Sequence, residues 1–281
     1  MFDTLLHKIL RIPYGLHVHS VRKVSRPRAT VLLLHGIGSA GAAWDDVVAG
    51  LPKDIHVIAV DLLGFGVSPH PEWAAYDAKT QARSVIATLV GLKIQQRVIL
   101  VGHSMGALVA VEVAKRYPLL VKSLVLCSPP FYNDTEESSL LPKRDAALKK
   151  IYLLIKRHPE RFATIAALAV KYKLVESAVN VTGENVATFM AALEASIINQ
   201  TSFADAKNLQ KQMSIVHGAL DPVVIKKNLD AILKNNERAS LRVVHMAGHA
   251  LAGQSYIGAV TKEIVRALPK QKAKNSPVTK G

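Results

Sequence analysis

Short apolar runs alternate with longer stretches whose apolar positions recur at helical spacing, a pattern that predicts a mostly parallel sheet covered by helices. The runs Thr30–Leu34, His56–Val60, Val98–Val101, Ser123–Cys127, Met213–His217 and Leu241–His245 are the predicted strands. They are dense in Val, Ile and Leu with little polar alternation, as expected of strands covered on both faces. A weaker pair of strand patterns near Leu16–Val24 predicts an antiparallel edge. Helical spacing falls between the strands, in Ala42–Leu51, Ala78–Leu92, Ser104–Tyr117, Val223–Leu233 and Ser255–Leu268. The expected fold class is therefore α/β, a mostly parallel central sheet with helices on both faces.

One interval breaks this rhythm. Between Pro129 and Leu209 there is no strand pattern, only helical spacing in Leu141–His158, Pro159–Tyr172 and Glu184–Asn199. A stretch of about 80 residues is too long for an ordinary loop. It reads as a helical insertion folded over one edge of the sheet. The expected division is a core of residues 1–128 and 210–268, an insertion at 129–209, and a Lys-, Pro- and Ser-rich tail at 269–281 that should be mobile. At the other end Phe2, Leu5, Leu6, Ile9 and Leu10 share one helical face, with Lys8 and Arg11 elsewhere. Such a segment either docks on its own protein or lies on a membrane surface.

Composition narrows the class. With 281 residues, 49% hydrophobic and 20% charged, the chain has ample material for a core, which excludes wholesale disorder. A single cysteine, Cys127, excludes a disulfide framework and any multi-thiolate zinc site, and fits a reducing compartment. No run of about 18 apolar residues is present, so no membrane-spanning helix is expected. Residues 1–10 lack the long apolar block of a secretory signal, and the expected location is cytoplasmic.

The net charge of +15 raises the question of an anionic partner. It is unevenly spread: residues 1–28 carry +5, residues 141–175 carry +7, residues 262–281 carry +5, and the remainder carries −2. Aromatics make up 5% of the chain, and it holds no helix-turn-helix, zinc-finger or RNA-recognition signature, so no specific nucleic-acid partner is expected. Two readings stay open: lysines that serve solubility, and weak association with an anionic lipid surface.

The sharpest chemical signal is Gly102-His103-Ser104-Met105-Gly106, which follows an apolar strand and opens a helical run. A serine on so tight a strand-to-helix turn has its hydroxyl thrust clear of the sheet, and flanking glycines remove side chains that would collide. A serine hydroxyl needs a base, and the base needs an acid to orient it. Among the later histidines, His158 lies in the charged insertion, while His217 and His245 belong to strands. His249 follows Ala247-Gly248 just past a strand's C-terminal end, where reactive groups gather in such sheets, and is the candidate base. For the acid, Asp221 stands in a turn directly after the preceding strand, ended by Pro222; neither Asp205 nor Asp134 follows a strand so closely. The ordinary reading of Asp221 is turn chemistry or a helix cap. The order Ser104, Asp221, His249 is the one expected of a nucleophile elbow on this architecture. After the first parallel strand, the turn His35-Gly36-Ile37-Gly38 is placed to aim backbone N–H groups at a reacting carbonyl. The candidate oxyanion donors are the N–H groups of Ile37 and Met105. His35 is expected to hydrogen-bond within that turn rather than act as a second base.

Through His35-Gly36-Ile37-Gly38, Trp44, the run Asp61-Leu62-Leu63-Gly64-Phe65-Gly66-Val67-Ser68, the elbow at Ser104, Asp221 and His249, the chain resembles the capped, esterase- and lipase-like branch of the α/β-hydrolase superfamily. The resemblance implies that the insertion is a helical cap and that a Ser104, His249, Asp221 triad works without a cofactor or metal. Haloalkane dehalogenases and epoxide hydrolases of this fold carry an aspartate where this chain has Ser104. Carbon–carbon hydrolases of ring-cleavage pathways place a tryptophan shortly after the histidine, whereas His249 is followed here by Ala250-Leu251-Ala252-Gly253-Gln254. The expected function is hydrolysis of a small-molecule carboxylic ester, lipid-like or of medium acyl length, through an acyl-enzyme on Ser104. Carbon–carbon hydrolysis, cofactor-free perhydrolysis and a non-catalytic scaffold on the same fold are the alternatives.

Overall fold

A computed structural model describes residues 4–132, 157 and 186–270. Seven strands, β1 (Val18–Arg22), β2 (Thr30–Leu34), β3 (His56–Val60), β4 (Val98–His103), β5 (Val121–Cys127), β6 (Met213–Gly218) and β7 (Ala239–Val244), form one sheet in the order β1-β3-β2-β4-β5-β6-β7. Every neighbouring pair is parallel except β1 with β3, which is antiparallel and bulged between Val18 and Ser20. The α/β architecture read from the sequence is therefore the one observed. The expected edge near Leu16–Val24 is a single strand, β1.

The apolar strands sort into two cores by the period of two. Leu32, Leu34, Ile58, Leu100, Leu124, Leu126 and Ile215 face one side of the sheet. Val31, Leu33, Val57, Ile99, Val101, Val125 and Val216 face the other. The first side is covered by α2 (Ala78–Gly91), α3 (Met105–Arg116), α5 (Ser202–Asn208) and α6 (Lys226–Asn235), and the second by α1 (Asp45–Gly50) and α7 (Gln254–Ala267). With apolar partners on both faces, neither face of the central strands needs polar residues. Helix α2 starts where Asp77 accepts a hydrogen bond from the Thr80 N–H at 2.7 Å, a side-chain cap on an otherwise unsatisfied donor.

Of the insertion, a helical segment runs from α4 (Val186–Ala192) into a wider turn at Leu193–Ile198, within the predicted Glu184–Asn199. Phe189, Ala192 and Ile197 join the α3 side of the core. The predicted helices Leu141–His158 and Pro159–Tyr172 lie outside the described residues, apart from the helical Arg157, as does the tail from residue 271. Helix α5 has no counterpart in the sequence reading, since seven residues are too few for a periodic signal.

At the N-terminus, Thr4–Ile9 forms a wide helical turn, with the Leu10 N–H bonded to the Leu5 carbonyl at 2.9 Å. His7 stacks on Tyr14 with ring centroids 3.6 Å apart. The segment is docked on the protein, yet Leu5, Ile9 and Leu10 face outward. Among the described residues no helix is long and apolar enough to cross a membrane.

Candidate active site

The chain leaves β2 towards β3 on one side and β4 towards β5 on the other, so the strand order reverses between β2 and β4. At such a switch point the loops beyond the strand C-termini diverge and leave a crevice. Ser104 follows β4 there, and the His35–Gly38 turn follows β2.

Ser104 has φ 51° and ψ −119°, a left-handed conformation that an L side chain rarely adopts. Two bonds hold it: its N–H donates to the Cys127 carbonyl, and its carbonyl accepts from the Ala107 N–H, both at 2.9 Å. The glycines around it are required by space. A Cβ on Gly102 would strike the Gly106 carbonyl, and one on Gly106 would strike the carbonyls of Leu34 and His35. A Cβ on Gly36 would lie 3.1 Å from His103 Nδ1 and 3.2 Å from the Ser104 Cβ, so the β2 turn runs directly against the serine. Met105 opens α3, and its N–H belongs to the first turn, which lacks intrahelical acceptors. Ile37 is half-buried on the same turn as Gly36.

The residues selected from the sequence converge. His249 Nε2 lies 3.0 Å from Ser104 Oγ, and His249 Nδ1 lies 3.0 Å from each oxygen of Asp221. These side chains are drawn from positions 145 apart in sequence. Asp221 Oδ1 also accepts from the Val223 N–H at 2.8 Å and the Val224 N–H at 3.3 Å, which is the turn and cap chemistry of its ordinary reading. Burial pushes the Asp221 carboxyl up, but the hydrogen bond and charge of His249, with donation from the Ser128 hydroxyl and the Val223 N–H, outweigh it and hold the group below its usual value. The loops bearing acid and base are joined by their backbones. The Ala219 N–H donates to the Val244 carbonyl and the Leu220 N–H to the Ala247 carbonyl, both at 2.9 Å.

The other candidates stand apart. His245 is exposed just beyond β7, which ends at Val244 rather than at His245 because the chain turns at Met246 with φ 58°. His217 bonds the Gly218 carbonyl through Nδ1, and Asp205 pairs with Lys115. His158 and Asp134 lie outside the described residues. His35 is fully buried: Nδ1 donates to the Gly36 carbonyl at 2.7 Å, while Nε2 accepts from the Leu62 N–H at 2.8 Å. Burial lowers its pKa to about 4 against the opposing effects of the Gly36 carbonyl and Asp61, so it stays neutral and ties the β2 turn to the β3 loop.

Two contributors escaped the sequence reading. His103 donates from Nε2 to the carbonyl of His249 at 2.8 Å, and its pKa falls to about 3, chiefly through burial and then through the nearby His249. Ser128, with φ 47°, lies just past β5 and shares a 2.7 Å hydrogen bond with the Tyr256 hydroxyl. The position of Ser128 directly after a strand was the available signal. Among the described residues no cluster of His, Cys, Asp and Glu is arranged to hold a metal ion.

Comparison with known proteins agrees with this fold. A model described as "Alpha/beta hydrolase family" matches residues 31–260. A probable lysophospholipase, BODYGUARD 4 of Arabidopsis thaliana, is 32% identical over 120 residues, 42% of this chain and 29% of that protein. The chain thus spans less than a third of that relative. The pimeloyl-[acyl-carrier protein] methyl ester esterase of Aeromonas hydrophila is 30% identical over 229 residues, 78% of this chain and 88% of that protein. Among solved structures, a thermophilic esterase from Thermogutta terrifontis is similar with TM-score 0.65 and 21% identity, covering 85% of this chain and 88% of that one. A meta-cleavage product hydrolase from Pseudomonas fluorescens has TM-score 0.62 and 21% identity, covering 92% and 98%. At these identities the structures share the fold.

Proposed function

The chain belongs to the alpha/beta hydrolase family, and from that premise we propose that it is an enzyme that hydrolyses carboxylic esters through an acyl-enzyme on Ser104. The observation that carries the proposal is the pair of 3.0 Å contacts linking Ser104 Oγ, His249 and Asp221, with the serine in a strained elbow. Ser104 Oγ attacks the ester carbonyl carbon while His249 Nε2 takes its proton. The oxyanion is met by the N–H groups of Ile37 and Met105, each such donor being worth about 2.7–4 kcal/mol of barrier. The carbon–oxygen bond to the alcohol breaks, and His249 returns the proton to the departing oxygen. Water then attacks the acyl carbonyl, giving its proton to His249, and Ser104 regains that proton as the acid leaves. Asp221 fixes the imidazole with Nε2 facing the serine and stabilises the imidazolium.

Phe131, Phe189 and Ile197 extend the apolar core to the segment returning from the insertion, which supports a cap at 129–209 and an apolar acyl chain beneath it. The names of the relatives, a methyl ester esterase and a probable lysophospholipase, support an ester with a lipid-like acyl group. The test is covalent labelling by a fluorophosphonate, followed by p-nitrophenyl esters of rising chain length. Ser104→Ala should abolish both labelling and turnover, and octanoyl esters should outpace acetyl esters. Stoichiometric labelling of Ser104→Ala would move the nucleophile elsewhere. Turnover of a vinylogous diketone, or of peroxide with a carboxylic acid, in place of esters would reassign the reaction.

A further inference from the structure

We propose that the face formed by the N-terminal turn and the loop before α2 is a docking surface for an anionic lipid bilayer. Five large apolar side chains, Leu5, Ile9, Leu10, Ile12 and Trp73, stand between 38% and 65% exposed. Leu5, Ile9 and Leu10 fall at i, i+4 and i+5 of one wide turn and so share its outer side, while His7 packs inward on Tyr14. Trp73 meets the same Tyr14, with ring centroids 5.8 Å apart, which brings it to the aliphatic residues. Between the turn and α2 lies a cavity of about 490 Å³ whose lining includes Lys8, Arg11, Ile12, Trp73, Lys79 and Arg83.

Charge and shape favour a lipid headgroup layer. Four cations surround the cavity. Of the acids nearby among the described residues, Asp77 lines it but already accepts from the Thr80 N–H, and Glu72 is exposed beside Trp73. Aliphatic and indole side chains interleaved with Lys and Arg are the composition that sits at a bilayer interface, the apolar groups entering the acyl boundary and the cations meeting phosphates. A second copy of the chain fits poorly, because pairing the face with itself would set four cations against four. The face is also held in shape: Arg83 Nη2 donates to the Arg11 carbonyl at 2.7 Å, clamping the turn to α2. The Tyr76 carbonyl, three residues beyond Trp73, accepts from Ser196 Oγ at 2.7 Å, so the face is tied to the segment returning from the insertion. The proposal does not depend on the reaction at Ser104.

Flotation of the full chain with vesicles of phosphatidylcholine, alone or mixed with phosphatidylglycerol, tests it. The chain has two tryptophans and Trp44 is fully buried, so a change in emission reports on Trp73. Binding is expected only to the mixed vesicles, with a blue shift of the emission and quenching by brominated lipid. The pair Lys8→Glu, Arg11→Glu should weaken binding at least about tenfold. The pair Ile9→Ser, Leu10→Ser should abolish the blue shift. Both variants should keep the melting temperature and the hydrolysis of a water-soluble ester. Binding that survives both variants would assign it to the basic segments at 141–175 or 262–281 and overturn the proposal. So would a concentration-dependent dimer lost in Ile9→Ser, Leu10→Ser, which would give the face to a second copy.

Discussion

Ser128 shows how a side chain outside the proposed triad can govern it. A carboxylate only accepts hydrogen bonds, so Ser128 donates to Asp221, while the Ser128 oxygen lies 2.7 Å from the Tyr256 hydroxyl, which itself reaches the Val216 carbonyl at 3.3 Å. That relay fixes the carboxylate that in turn orients His249. Ser128→Ala is expected to lower kcat about tenfold with little change in KM, and Tyr256→Phe to do so less. Steady-state kinetics on a soluble ester, with circular dichroism to verify folding, checks this, and an unchanged kcat for Ser128→Ala would remove Ser128 from the site. The main site residues were legible because each sits in the first turn beyond a strand, where sequence pattern and chemistry coincide. Ser128 also follows a strand directly, but nothing in the sequence ties it to Asp221, or His103 to the backbone of His249, so neither is legible as a contributor. Their partners, Tyr256 and His249, lie 128 and 146 positions away, and only packing brings them together.

Among the elements, the parallel strands were legible from β2 to β6 because burial on both faces makes them continuous apolar runs. The edge strands were less so. β1 and β7 carry polar and exposed positions, and β7 begins two residues earlier than its apolar run. Helix α2 illustrates a support that no periodicity reveals. Gln81, buried on its core face, accepts from the Leu63 N–H at 2.9 Å and donates to the Leu63 carbonyl at 2.8 Å, holding the loop after β3. Gln81→Leu keeps volume and helix propensity but strands both groups, at about 1–3 kcal/mol each. Urea denaturation should show that loss, whereas a variant as stable as the parent would mean that water replaces the amide.

For the whole molecule, His35 and His103, kept neutral by burial, contribute to the response to acid. His35 and His103 have folded-state pKa values of about 4 and about 3, below the unfolded value of 6.5. The unfolded chain therefore takes up protons first as pH falls. The associated stability is fully present above about pH 6.5 and is lost progressively through the folded values. Each group contributes about 1.4 kcal/mol per pH unit within its window. Asp221 acts in the same direction at lower pH, its stabilisation vanishing as its depressed carboxyl protonates. Denaturation midpoints at pH 7, 6, 5 and 4 should fall steadily, and His35→Gln should flatten that slope by roughly half between pH 6 and pH 4. A parent slope near zero across that range would contradict burial of both rings in neutral form.

Among the described residues, the strand that delivers His249 has a neighbour on one side only, since β7 ends the row beside β6. Ser104, by contrast, rides on β4, flanked by β2 and β5. A sheet border frays at a lower free energy than its interior. Warming should therefore silence the reaction by loosening the border that carries the imidazole while the serine's own strand is still intact, so that thermal inactivation precedes melting and is reversed on cooling.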